Sequence, residues 1–280
     1  MTTVLTPVVD EPELVSYREP LVSKVWAWWW PKMLAILIVL VVWQLVVWSG
    51  WRPTYVLPGP AATFEALFEM LGTPRFWSAV VTTMTRAVIG FALALTIGTI
   101  IGILVARIRP LRMAAGALIT GLQTMPSISW FPLAILLFGL NEQAIMFVVV
   151  LGAAPSIANG VITGIDHVPP AYHRLGKVLG LGTIPMYRHV IMPAILPAYV
   201  GGLTQGWAFA WRSLMAGELL VIIAERPSLG ASLEFARQFS KAPELLATML
   251  VILIIGMLVD GVFSSLARSI RVRRGLTADA

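Results

Sequence analysis

The sequence predicts an all-α integral membrane protein with six transmembrane helices and both ends on the inner side of the membrane. Three observations carry this. Hydrophobic residues fill 58% of the 280 positions and charged residues only 12%, against about 25% charged in a soluble domain, and the mean hydropathy is +0.84. Six apolar stretches reach the roughly 20 residues needed to cross about 30 Å of hydrocarbon. Lysine and arginine gather in alternate connecting segments.

Residues 1–32 read as an inner tail and interface segment. They mix charge with proline (Asp10, Glu11, Pro12, Glu13, Arg18) and lack the basic start and small-residue cleavage site of a signal peptide. The transmembrane domain is expected over 33–268. Its first span is Met33 to Trp51, with Trp26, Trp28, Trp29 and Trp30 at its inner edge and Trp48 and Trp51 at its outer edge, the pattern of interface belts. The next are 78–106, interrupted only by Arg86, 113–138, and 144–163. The fifth is 194–223, with Arg212 and Glu218 inside, and the sixth is 245–267, with Asp260 inside. Each satisfies its own backbone hydrogen bonds in lipid only as a helix. Two outer segments, 65–71 and 228–239, read as short helices on the membrane surface. Residues 269–280 form an inner tail. With this threading thirteen basic residues lie inside, five lie outside, and Arg86 and Arg212 lie within spans.

Composition also excludes chemistry. There is no cysteine and there are three scattered histidines, so neither a disulfide nor a metal centre is expected. The net charge of +6 lies beside apolar segments and forms no basic domain, which argues against nucleic acid. No Gly-x-x-x-x-Gly-Lys-Ser/Thr phosphate loop is present, so the chain cannot hydrolyse ATP itself. Energy comes from another polypeptide or from an ion gradient.

The inner loop 164–193 is the most distinctive stretch. Pro169 and Pro170 end the fourth span. A short helix follows from Ala171 to Leu179, then a sharp turn at Gly180 and Gly182, then a second short helix from Met186 to Met192. Two short helices joined by a glycine turn make a projecting knob, either for a protein partner or for lipid headgroups. Within the spans, Arg86 lies about eight residues, roughly 12 Å, from the outer end, and Glu218 about five residues, roughly 8 Å. A structural charge pair between them is expected. Arg212 lies six residues before Glu218 and does not share its face; it is a candidate for an anion in a pathway or for structural pairing. Gln205, Trp207 and Trp211 lie near it, and Pro126 and Pro132 are expected to kink the third span. Gly98/Gly102, Gly160/Gly164 and Gly202/Gly206 each have the spacing that permits close helix contact.

The loop resembles the cytoplasmic Glu-Ala-Ala loop of binding-protein-dependent ABC importer permeases. Gly180 takes the glycine, Val190 the isoleucine, Met192 the leucine and Pro193 the proline, while Arg174-Leu175-Gly176 stands in place of Glu-Ala-Ala. The stretches Gln123–Pro126, Phe131–Leu133 and Ala210–Glu218 look like the nitrate, sulfonate and taurine branch. The resemblance implies a type I importer permease fold in a bacterial cytoplasmic membrane. It implies two permease copies as a homodimer, ABC ATPase subunits carrying ATP and magnesium, and an extracytoplasmic solute-binding protein. No cofactor is bound by this chain and no catalytic residue is expected. It also implies that Tyr172, Arg174, Lys177, Gly180, Gly182, Tyr187 and Pro193 serve the ATPase contact. Gln205, Trp207, Trp211, Arg212 and Pro126 then serve the solute pathway. The solute is expected to be a small anion, aliphatic sulfonate or taurine, with nitrate, bicarbonate or a pyrimidine precursor as alternatives. A secondary carrier working alone is the competing reading.

Overall fold

The computed structural model describes residues 21–273, and all regular structure among them is helical. The expected tails 1–20 and 274–280 lie outside the described residues. Two units are distinguished, 1–53 and 54–280. The first holds α1 (Leu21–Trp48), which begins inside the stretch expected as a tail and tolerates Pro31 within it. Its apolar part, Trp29–Trp48, is long enough to cross a membrane.

The second unit runs α2 (Pro60–Leu71), α3 (Pro74–Arg107), α4 (Arg109–Thr124), a 3-10 turn, α5 (Phe131–Phe138) and α6 (Glu142–Asp166). Then come α7 (Pro170–Val178), α8 (Thr183–Met186), a π turn, α9 (Met192–Leu220), α10 (Leu229–Gln238) and α11 (Ala242–Arg273). Local chemistry sets the boundaries. Thr73, Asn141 and Ser228 each accept a backbone N–H from the first turn of α3, α6 and α10, satisfying donors that a helix start leaves orphaned.

The core is a three-helix sandwich with α6 in the middle, between α3 and α9. Its apolar centre includes Val148, Val149, Ala153, Ile157 and Leu214, all buried. In lipid, apolar burial alone does not drive helices together; close packing does, and small residues permit it. All three glycine pairs lie at these contacts. A Cβ on Gly98 would sit 2.6 Å from Ala154 O, on Gly102 2.9 Å from Ala158 O, and on Gly160 2.8 Å from the Cα of Gly202. No side chain fits at those points.

Among the described residues four helices are long and apolar enough to cross a membrane: Trp29–Trp48, α3, α6 and α11. The expected third span differs from its reading. Pro126 and Pro132 do not kink one helix; α4 and the following 3-10/α5 segment form two pieces bent by 104° at the 125–126 break. A proline lacks the N–H that would carry the ladder across. The expected fifth span is the 29-residue α9, about 43 Å long, whose polar residues lower its apolarity.

The two surface helices form, as α2 and α10, and both pack on α11. On α10, hydrogen bonds from Arg237 and then Gln238 hold the Glu234 carboxyl down at about 2. That contact is therefore intact above the ordinary carboxylate range and is lost only as pH falls toward 2.

Candidate functional site

The elbow between α6 and α9 is built from a helix stop. After α7, Gly180 takes φ +66°. Its N–H donates to Lys177 O at 3.0 Å and the Leu181 N–H donates to Gly176 O at 2.9 Å, the paired bonds of a Schellman end. Nothing lies within 4 Å of where a Gly180 Cβ would be. The requirement for glycine is thus conformational, since L residues disfavour this left-handed region. Gly182 is different: its φ of −67° suits any residue, so only Gly180 makes the sharp turn. Gly176 touches the flexible end of Met186, which a Cβ there would displace and which packs α7 onto α8. The mismatch with Glu-Ala-Ala at this point keeps the small residue and drops the acid.

The second half of the elbow corrects the sequence reading. No separate helix runs from Met186 to Met192. Helix starts earlier, at Thr183, takes Pro185 into its first turn, and passes through a π turn, Tyr187–Ile191, directly into α9. Proline is tolerated in a first turn, where its missing N–H has no partner to lose. The π turn precedes Pro193, the second residue of α9, which offers no N–H to the ladder. Residues 183–220 therefore form one continuous helical run, a rod about 57 Å along its path at the rise of an α-helix, with Pro197 inside it. Met186, Ile191 and Ile195 bury against Val161 and Val168, which anchors the foot of the rod to the end of α6.

The elbow's outer surface is apolar and basic. Tyr172, Leu175, Val178, Leu179 and Ile184 are exposed, Val178 at 83% and Ile184 at 79%. Arg174 and Lys177 are exposed beside them. Tyr187 turns inward instead: its ring lies under the Arg107 guanidinium, 4.9 Å from centroid to Cζ. It joins the elbow to the end of α3.

At the other end of the rod sits a charge cluster. Arg86 Nη1 donates to Glu218 Oε1 at 2.9 Å, and Arg86 Nε and Nη2 donate to Glu142 at 2.8 and 2.6 Å. The second carboxylate, Glu142, is absent from the sequence reading. It is the first residue of α6, capped by Asn141, and reads in sequence as an ordinary helix-start acid. Thr83 Oγ1 donates to Glu218 Oε2 at 2.9 Å and accepts from the Leu229 N–H at 3.0 Å, while Gly230 N–H donates to Glu218 at 3.1 Å. Glu218 is fully buried and accepts three hydrogen bonds, one on Oε1 and two on Oε2. The expected depths shift because α3 begins at Pro74, twelve residues before Arg86, and α9 ends at Leu220, two residues after Glu218.

Between the two ends, α9 keeps one polar face open. Gly201, Gln205 and Arg212 are exposed and fall at i, i+4 and i+11, one side of a helix. Arg212 has no carboxylate partner among the described residues; its guanidinium lies over Phe209, one turn back, at 5.5 Å. Across from Gly201, Gln205 and Ala208, α11 presents Asp260, Ser264 and Arg268 at i, i+4 and i+8. A cavity of about 560 Å³ separates Gly201, Gln205 and Ala208 from Asp260, Ser264 and Arg271. The tryptophans do not share this face. Trp207 is buried, 5.5 Å from Phe91 and 5.7 Å from Phe263, and Trp211 stacks on it at 6.0 Å and packs on Gly256. They hold α9 against α3 and α11. Pro126 lies at the bent break, away from the cavity lining.

Comparison with known proteins agrees with this architecture. Residues 94–272, more than half of the chain, match the family described as binding-protein-dependent transport system inner membrane component. The nitrate import permease protein NrtB of Synechocystis sp. is 26% identical over 81% of this chain and 83% of its own length. The taurine transport system permease protein TauC of Escherichia coli (strain K12) is 26% identical over 88% of this chain and 93% of its own. A structure of the MetNI methionine ABC transporter in an inward-facing conformation superposes with a TM-score of 0.59 at 19% identity, covering 71% of this chain and 99% of that one; that likeness concerns the fold. With a helical core, several membrane-length helices and a family match across its second half, the chain belongs to the inner membrane components of binding-protein-dependent transport systems, as a permease subunit of an ABC importer.

Proposed function

We propose that this chain forms the translocation pathway of an ATP-driven importer for a small anionic solute, an aliphatic sulfonate or taurine before nitrate, bicarbonate or a pyrimidine precursor. The reading takes six spans, counting the bent α4–α5 pair as one and α9 as another, with both ends in the cytoplasm of a bacterial cell. Two copies face each other as a homodimer. Separate ATPase subunits, carrying ATP and magnesium, bind the exposed elbow through Tyr172, Arg174, Lys177 and their apolar neighbours. A solute-binding protein delivers the solute outside. When the ATPases close, the elbow is displaced and the rod carries that displacement to the open polar face of α9.

The observation that supports this most is the continuity of helix from Thr183 to Leu220. A push on the elbow acts on the same continuous helix that bears Gln205 and Arg212. A charged side chain exposed inside a span is costly unless it meets a cavity or a partner, and Arg212, one turn beyond Ala208 at the end of the α9–α11 cavity, carries the charge suited to an anion.

The test is uptake into proteoliposomes holding the permease with and without its ATPase, with solute-loaded binding protein supplied. Taurine uptake is expected only with the ATPase and ATP together. Uptake driven by an ion gradient without the ATPase would establish the secondary-carrier reading.

A further inference from the structure

A second cavity, of about 490 Å³, lies between α2, the start of α3, α10 and the start of α11. This is within the range of about 300–1,000 Å³ typical of ligand pockets. We propose that it holds the headgroup, glycerol and first acyl carbons of one zwitterionic phospholipid, with an ammonium as well as a phosphate in its headgroup.

The mouth and the floor differ in chemistry. Arg75 is the second residue of α3, and Glu244 lies in the first turn of α11. Both helices are long and apolar enough to cross a membrane, so their ends mark the headgroup level. One turn further along α11 the lining changes to Thr248, and beside Arg75 to Phe76, both buried, with Leu229 fully buried below. A charged rim over an apolar floor suits an amphiphile entering along the helix axis.

The rim sets the headgroup. It carries Glu69, Arg75, Lys241 and Glu244, which sum to zero. Lys241 and Glu244 neutralise each other at 2.7 Å. The side chains of Glu69 and Arg75 have no hydrogen-bond or ion-pair partner among the described residues. The cation fits a phosphate and the carboxylate fits an ammonium. A purely anionic headgroup would meet Glu69 as a like charge. Position favours lipid over a protein loop. Phe239, which lines the cavity, is 70% exposed, and Trp77, next to the lining residue Phe76, is 54% exposed with its indole N–H donating to Leu71 O at 2.9 Å. Aromatic side chains with a polar tip are typical of the membrane interface.

The experiment is native mass spectrometry of the full-length permease purified from membranes, stripped of lipid and titrated with phosphatidylethanolamine or phosphatidylglycerol. We expect one phosphatidylethanolamine per chain, held at least about tenfold more tightly than phosphatidylglycerol. Arg75→Gln and Glu69→Gln, both at exposed positions, should each weaken it about tenfold, the size of one charge-assisted contact. Ser232→Trp, which fills the cavity, should abolish retention. Arg52→Gln removes a cation that does not line the cavity and should change nothing. Equal retention by wild type and both rim variants overturns the proposal, as does phosphatidylglycerol binding as tightly as phosphatidylethanolamine. So does loss of solute-binding-protein affinity in Arg75→Gln with lipid retention intact, which would make the cavity a protein docking site.

Discussion

The two ends of the rod 183–220 are built on opposite principles. At the C-terminal end Glu218 is fully buried, pairs with Arg86 and accepts further bonds from Thr83 and Gly230, so three elements, α3, α9 and α10, meet at one carboxylate. At the N-terminal end the elbow rests on apolar packing beneath and a glycine turn beside, with its outer surface open. One end is fixed by groups that cannot separate without stranding a charge. The other can be pushed as a unit. The proposed lever needs that asymmetry, and a single helix carries both ends.

The largest expected effect comes from breaking the fixed end. Glu218→Ala leaves Arg86 buried with one carboxylate fewer and leaves Thr83 and Gly230 without an acceptor. Removing one partner of a buried pair costs about 3–5 kcal/mol, so the detergent-solubilised protein should melt about 10 °C lower. Glu142→Ala should cost clearly less, because that side chain is 32% exposed and Arg226 stands nearby at 3.5 Å. Equal losses from the two would mean the cluster does not anchor at Glu218.

The middle of the rod gives the next effect. Arg212 has no carboxylate to lose, so Arg212→Gln should leave the melting temperature within about 1 °C. It should reduce uptake of an anionic solute about tenfold or more, as expected for a charge-assisted bond. A melting loss like that of Glu218→Ala, with uptake intact, would make the two arginines alike and erase the contrast between fixed end and open face.

The sequence made one of these regions more legible than the other. Arg86 and Glu218 are conspicuous because charge inside an apolar run needs a partner, and their similar depth pointed each to the other. Glu142 carries no such signal, since an acid after Asn at a helix start is ordinary chemistry. Its outer-end position, beside the expected end of the fifth span, was the available hint. At the elbow, proline and glycine gave the stops and the Gly180 turn. The second helix, expected from Met186, starts at Thr183 because a proline such as Pro185 is accepted within a first turn. Trp207 and Trp211 could be placed on α9 by their numbers, but which face packs on α3 depends on contacts with Phe91 and Phe263, far away in sequence. The 104° break at 125–126 was likewise hidden: proline marks where a helix changes, and packing decides by how much.

The smallest effect sharpens the comparison at its two turns. Gly180 ends α7, and Ser240 ends α10 with the same bond pattern, its N–H donating to Arg237 O and the Lys241 N–H to Ala236 O. Ser240 holds φ +55° without being glycine. A residue with a Cβ in this region costs about 1 kcal/mol. Ser240→Gly should therefore stabilise the protein slightly, by less than 1 kcal/mol after the unfolded chain's greater freedom is counted. Gly180→Ala should destabilise the elbow by about 1 kcal/mol, with Gly182→Ala near zero as the control. Global melting will barely register these changes, but hydrogen exchange at Gly180, Leu181, Ser240 and Lys241 will. If exchange at the Leu181 amide were unchanged in Gly180→Ala, the turn would not depend on the left-handed residue, and the N-terminal end of the rod would owe its shape to Met186 packing on Gly176 alone.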